Sequence, residues 1–227
     1  RTITPGQLFV PIVADRDGHE FIEVALKSGA GAYLTQRDSV GRSAIVVDDT
    51  LAALLKLGAW ARVRLEPTVG NRVIGVTGSV GKTSTKDFIA AALSSELMVS
   101  ASERSFNNDQ GLPVTLLNAA DNAQALVLEM GMRGFGEIAR LCSIAQPTIG
   151  VVTAVAAAHT ERVGGIEGVA RAKAELVQAL PQSGYAILNA DDERVREMRK
   201  LTQAQVLTYG VHEGADIRII KCDLDEM

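Results

Sequence analysis

The sequence predicts an α/β fold. A small N-terminal α/β domain is followed by a larger domain with a mostly parallel, doubly wound sheet. Three observations carry this. Short apolar runs alternate with helix-period stretches along the whole chain. A polar stretch, Glu66-Pro67-Thr68-Val69-Gly70-Asn71, separates two such series and places the domain boundary between residues 68 and 69. A Gly-rich turn then joins a strand to a helix, as in phosphate-binding α/β units.

The elements of the first domain follow in order. Leu8–Val13 reads as a strand, with Pro11 pointing to a sheet edge. Glu20–Ser28 reads as a helix that stops at Gly29, and Ala32–Thr35 and Ala44–Val47 read as strands. Asp48 and Asp49 are candidate N-caps for a helix over Leu51–Arg64. In the second domain the expected strands are Arg72–Thr77, Leu97–Ser100, Ala125–Met130, Thr148–Val152, Tyr185–Asn189 and Val206–Tyr209. Helices are expected over Lys82–Ser94, Glu137–Ser143, Ile166–Ala179 and Asp192–Leu201. The tail from Asp216 is strand-like at Ile217 and Ile219 and offers no third packed unit.

Composition narrows the function. With 23 Lys and Arg against 27 Asp and Glu, the net charge of −4 supplies no general field for nucleic acid or an anionic membrane. Aromatic residues at 4% leave few platforms for stacking bases. Cys142 and Cys222 lie far apart, with neither zinc-ligand spacing nor a disulfide framework. No apolar run is long enough to span a bilayer. The expectation is a cytoplasmic protein, with a monomer as the default.

The densest chemical signal is Val73-Ile74-Gly75-Val76-Thr77-Gly78-Ser79-Val80-Gly81-Lys82-Thr83-Ser84. Glycines let backbone amides close around phosphate oxygens, and the helix start adds partial positive charge. Gly78, Ser79, Val80, Gly81, Lys82, Thr83 and Ser84 form the candidate phosphate cradle. Lys82 would reach the β- and γ-phosphates and the Thr83 hydroxyl would ligate Mg²⁺. The usual motif has Gly where Val76 stands, with Gly75 one residue early. The absence of an NKxD segment disfavours a small GTPase.

Other candidates are more open. Glu129 ends an apolar strand, either as a metal-binding carboxylate or as a solvated strand end. His159 follows a small-residue run after the next strand. Lys173 and Glu175 sit in a helical stretch whose charges ordinarily form a solvated face. Asn189 precedes Asp191 and Asp192, one of them a natural N-cap, and its amide could read a purine edge. Asn107-Asn108-Asp109-Gln110-Gly111-Leu112-Pro113 reads as a loop near the same sheet edge.

Together these segments resemble the Mur ligase family, and within it the member that adds a D-alanyl-D-alanine dipeptide. The matching pieces are Thr77–Ser84, Asn107-Asn108 with Gly111-Leu112-Pro113, Leu128-Glu129-Met130-Gly131, Ala158-His159-Thr160-Glu161, Ala172–Leu176 and Leu188–Asp192. Thr4–Val10 and Gly29–Ala32 fit the family's first domain. The resemblance implies that ATP phosphorylates the terminal carboxylate of a UDP-N-acetylmuramoyl-tripeptide. The amine of D-alanyl-D-alanine then attacks the acyl phosphate. It also implies Mg²⁺ held by Thr83, Glu129, His159 and Lys173, the lysine as its carbamate. Lys82, Lys173 and His159 would be catalytic, Asn189 would meet the adenine, and Asn107 and Asn108 would face substrate. The first domain, residues 1–68, would hold the UDP end, and residues 69–227 would bind ATP. Val80 stands where many relatives carry Asn. The family's third, amine-binding domain has no counterpart here, and Arg1 matches the end of an Asp-Ser-Arg segment, so the chain reads as part of a longer protein. Another Mur-type or folylpolyglutamate-type ligase, or a non-catalytic nucleotide- and UDP-sugar-binding module, are the alternatives.

Overall fold

The computed structural model describes residues 3–38, 43–157 and 160–221, without the side chains of 160 and 161. His159 and Cys222 lie outside the described residues, as does the tail after Lys221. Two compact units divide between Leu57 and Gly58, inside a long helix.

The first unit holds β1 (Leu8–Phe9), α1 (Ile22–Lys27), β2 (Ala32–Thr35), β3 (Ala44–Val46) and the start of α2 (Thr50–Val69). Its sheet has the order β1-β2-β3, with both pairings parallel. β1 is an edge strand, as Pro11 suggests, but it stops at Phe9 rather than Val13. A proline cannot donate to a ladder, and the chain turns away before it. His19 is buried behind this sheet: its Nε2 accepts the Gln36 amide at 3.1 Å and its Nδ1 meets Asp17 Oδ1 at 2.7 Å. The acceptor role of Nε2 assigns the ring proton to Nδ1. The His19 amide and ring, with Arg37 beside them, hold the Asp17 carboxyl below its usual range.

Helix α2 continues five residues past its expected end at Arg64, through Pro67. Proline in the last turn removes only one hydrogen bond, and Gly70, at φ +52°, closes the helix by donating its amide to Glu66 O at 2.9 Å. Ala61, Leu65 and Val69 on one face of the helix are fully buried. Arg62 donates to Ala145 O at 2.9 Å and Arg64 to Ala119 O at 3.2 Å, so this half of the helix belongs to the second unit.

The second unit contains β4 (Val73–Thr77), α3 (Lys82–Leu93), β5 (Val99–Ala101), α4 (Gly111–Asn118), β6 (Ala125–Glu129), α5 (Glu137–Ala145) and β7 (Ile149–Val152). It continues with α6 (Thr160–Val163), α7 (Ile166–Gln178), β8 (Tyr185–Asn189), α8 (Glu193–Glu197), β9 (Gln205–Gly210) and β10 (Ile217–Arg218). The strand order is β10-β9-β8-β7-β4-β6-β5, and each pairing is parallel. The sheet is doubly wound, and the tail adds a strand at its edge. Helix α4 was expected to be loop. Its sequence opens with Gly-Leu-Pro, but Pro113 sits in the first turn, where no amide is needed.

The two sheet faces are built differently. Gly75 and Gly150 lack side chains where Leu176 of α7 packs against the central strands; a Cβ on Gly75 would sit 2.9 Å from Leu176 Cδ1. Ile74, Val76, Val127 and Val151 form the core of the other face, against Ile89 and Leu93 of α3. Beyond α3 that face opens into an apolar groove of about 470 Å³, lined by Ile149, Ile187 and Tyr209 among others. Cys142 is a free, buried thiol, pushed up to about 12 by burial first and the Glu175 charge second. Among the described residues no helix is long and apolar enough to cross a membrane.

Candidate functional site

Parallel register brings the chemistry to one edge. Val76 pairs with Glu129, Thr77 with Val152, and Leu188 with Val152, so the segments that follow β4, β6, β7 and β8 leave the sheet side by side. This carboxyl edge, around the first strand of a doubly wound sheet, is where such folds bind ligands.

The loop after β4 begins at Gly78, whose φ is +151°. A Cβ there would lie 1.8 Å from Thr153 Oγ1, so only glycine fits. Ser79 ties the loop to the segment that follows β7: its amide donates to Ala154 O at 2.7 Å and its hydroxyl to Ala156 O at 3.0 Å. Thr153 donates its hydroxyl to Val80 O at 2.6 Å. The Val80 side chain itself points outward, 60% exposed. Gly81 caps α3 in the left-handed region, at φ +79°. Thr85 is the first α3 amide to find an acceptor, Gly81 O at 2.9 Å; those of Lys82, Thr83 and Ser84 have none among the described residues. Three outward amides at a helix start form a ready anion site. Lys82 lies across the loop, its ammonium on Gly78 O at 2.8 Å and Ser79 O at 3.3 Å.

Glu129 is 1% exposed and both its oxygens are engaged. Thr83 donates its hydroxyl to Oε2 at 2.7 Å, and Asn107 donates its amide to Oε1 at 2.7 Å. The solvated alternative for Glu129 is thereby removed. Because Thr83 spends its proton on Glu129, its lone pairs stay available to a cation. Among the described residues no group of three or more His, Cys, Asp or Glu is placed to hold a metal. One hydroxyl and one carboxylate instead suit Mg²⁺, which keeps several waters and takes further oxygens from substrate phosphate.

Asn108 serves a different purpose from Asn107. Its Oδ1 accepts the amides of Gln110 and Gly111 at 3.2 and 2.9 Å, which starts α4. Asn189 donates to Thr153 O at 2.8 Å and accepts the Asp191 amide at 2.9 Å, leaving its second amide proton without a partner among the described residues. Asp192 is the N-cap of α8 and also accepts the Val155 amide at 2.7 Å.

Lys173 is 4% exposed, not part of a solvated face. It makes no ion pair or hydrogen bond among the described residues. Burial first, and then the positive charge of Lys82, lowers its pKa from 10.5 to about 8. Glu175, two residues on, points elsewhere: its oxygens accept the amides of Gly136 and Ala139 at 2.7 and 3.0 Å, capping α5. Sequence reasoning missed Thr153, Ser102 and Lys86 as supports of this site. Thr153 at a strand end was a usable signal; Lys86, a cation in a helix, gave none.

The profile described as Mur ligase middle domain matches residues 76–226. UDP-N-acetylmuramoyl-tripeptide–D-alanyl-D-alanine ligase of Mycobacterium tuberculosis is 41% identical over 249 residues, covering 100% of this chain and 48% of that protein. A MurF crystal structure from Acinetobacter baumannii superposes with a TM-score of 0.83 at 31% identity, over 93% of this chain and 46% of the other. MurF ligase from Thermotoga maritima in complex with ADP gives 0.80 at 34% identity, over 94% and 49%. The chain spans about half the length of the curated relatives it matches. With two-thirds of its residues under the family profile, and the nucleotide loop, Glu129 and Lys173 gathered as described, this chain belongs to the Mur ligase family.

Proposed function

We propose that this chain forms the UDP-sugar-peptide- and ATP-binding portion of a cytoplasmic, monomeric ligase. The enzyme adds D-alanyl-D-alanine to UDP-N-acetylmuramoyl-tripeptide for peptidoglycan synthesis. The observation that carries the reading is the Gly78–Ser84 cradle joined by Thr83 to the buried Glu129 and Asn107. The names and full-chain similarity of the relatives support the choice of amine.

The chemistry is transfer of the γ-phosphoryl group to a carboxylate, then amide formation with release of phosphate. Such transfer needs position and charge neutralisation more than covalent help. The amides of Lys82, Thr83 and Ser84 bind phosphate oxygens. Lys82 leaves the carbonyls of Gly78 and Ser79 and turns its ammonium to the β- and γ-phosphates. Thr83 and Glu129 would hold Mg²⁺, which when bound would neutralise phosphate charge. Asn107 keeps Glu129 aimed at Thr83. Lys173, with a pKa near 8, supplies a neutral amine that CO₂ converts to an anionic carbamate. As a carbamate beside the Lys82 charge, it would hold a second cation together with His159, as the family resemblance implies. Asn189 uses its second amide proton on the adenine. The first unit takes the UDP end and the second the nucleotide, with the Asn107-Asn108 segment beside the acceptor peptide.

The test is ADP release and amide formation with UDP-N-acetylmuramoyl-tripeptide, with and without D-alanyl-D-alanine. It is run on the full-length protein and on these 227 residues. Amide formed only by the full-length protein and only with both substrates is the expected result, with weak ADP binding by the shorter chain. Nucleotide binding without turnover in the full-length protein would favour a binding module. Turnover with a single amino acid instead of the dipeptide would favour another ligase of the family.

A further inference from the structure

Lys86 is a cation where none is needed for packing. It is 4% exposed, one helical turn beyond Thr83 on the same side of α3. Its ammonium donates to Ser102 O at 2.8 Å, and its other partner is the exposed Asp87 carboxylate at 2.5 Å. Burying an ammonium is costly, and an apolar side chain of the same length would fill the space without that cost. What only a donor can do here is fix the direction of the Ser102 carbonyl.

Ser102 is the hinge of the arrangement. Its amide donates to Val127 O at 3.0 Å, and its hydroxyl accepts the Glu129 amide at 3.1 Å. It also begins the segment that delivers Asn107 to Glu129. A closed ring results: Thr83 to Glu129, Glu129 to Ser102, Ser102 to Lys86, and back along α3 to Thr83. The ring sets the position of the nucleotide helix against the carboxylate.

We infer that Lys86 is a positioning residue for the cation held by Thr83 and Glu129, acting through Ser102 and touching neither nucleotide nor metal. The inference rests on the proposed nucleotide and Mg²⁺ site. Groups that only orient a metal ligand commonly alter metal affinity by tenfold or more, and that is the effect expected here.

The experiment uses the whole chain with ADP, and Mn²⁺ as the spectroscopic stand-in for Mg²⁺. ADP affinity is measured in EDTA, and Mn²⁺ affinity by electron paramagnetic resonance at saturating ADP, with folding checked by circular dichroism. For Lys86→Met the expected result is ADP affinity in EDTA within about twofold of the parent chain, and Mn²⁺ affinity lower by about tenfold. Ser102→Ala breaks the ring at another link and should act in the same direction; it decides the matter if Lys86→Met does not fold. The double variant should lose no more than the larger single loss, because both act through one path. Unchanged Mn²⁺ affinity in a folded variant would overturn the inference, as would independent, additive losses. A loss of ADP affinity in EDTA equal to the loss for Mn²⁺ would show a merely structural role. Failure of the parent chain to bind ADP at all would sink the nucleotide-site reading, and this inference with it.

Discussion

Lys173 offers the sharpest perturbation, because its environment makes a quantitative demand. With a pKa lowered from 10.5 to about 8, about half of its amines are neutral near pH 8. At the ordinary value only about three in a thousand would be, so burial enriches the CO₂-reactive form on the order of 10²-fold. The reaction joins the amine nitrogen to the carbon of CO₂ and releases one proton, leaving a carbamate anion. The assay is carbon NMR of the chain equilibrated with isotopically labelled bicarbonate near pH 8. One carbamate resonance is expected, absent from Lys173→Met. The lowered pKa also fixes the sign of a stability effect in CO₂-free buffer. Between about pH 8 and 10.5 the unfolded state binds more protons than the folded state, so stability rises with pH across that window. Below it the charged form is penalised by roughly 3 kcal/mol, the size of the pKa change. Lys173→Met should therefore raise the unfolding free energy near pH 7 by about 2–3 kcal/mol in urea melts, and by little above pH 10.5. No carbamate signal, or one that survives in the variant, refutes the assignment. A variant that is less stable than the parent at neutral pH refutes the electrostatic argument.

Three further outcomes follow from the geometry. Gly78→Ala forces a Cβ to within 1.8 Å of Thr153 Oγ1 at a φ of +151°, and should lower ADP affinity measured by calorimetry at least tenfold, with Gly136→Ala, whose Cβ would meet nothing within 4 Å, as the neighbouring-strain control. Glu175→Ala removes the acceptor of two α5 amides and should cost about 1–2 kcal/mol in urea denaturation, while leaving ADP affinity unchanged. Lys82→Ala in the full-length protein should cut phosphoryl transfer by about 10²-fold or more with an unaltered melting profile, and near-normal turnover would remove Lys82 from the mechanism.

The nucleotide loop was legible in the sequence because its constraints are local. Its residues answer requirements set within a few positions: Gly78 and Gly81 a positive φ, Lys82 a cation and Thr83 a hydroxyl. Glu129 was half legible. Its place at a strand end was plain, but only the fold distinguishes a buried carboxylate with two donors from a solvated one. Helix α4 was missed because Asn108, Gly111 and Pro113 carry turn chemistry that also serves a helix start. The extension of α2 was missed for a related reason: Pro67 reads as a terminator, yet in the final turn it costs little.

The least legible residues are the charges on helices. Lys86, Lys173 and Glu175 all fit a solvated face by spacing, and all are held by tertiary partners or burial that no local pattern encodes. Their common feature is position rather than period. Each lies on a helix that packs next to the carboxyl edge of the sheet, within reach of the segments leaving β5, β6 or β4. In a parallel sheet those segments carry the reacting groups, so a helix charge directed inward there has a restricted set of partners: a loop carbonyl, a loop amide or the ligand. Lys86 takes a carbonyl and Glu175 takes amides. Lys173 takes neither among the described residues, and burial first and the Lys82 charge second lower its pKa. That leaves it available for the carbamate role the family resemblance implies, which the labelled-bicarbonate experiment tests.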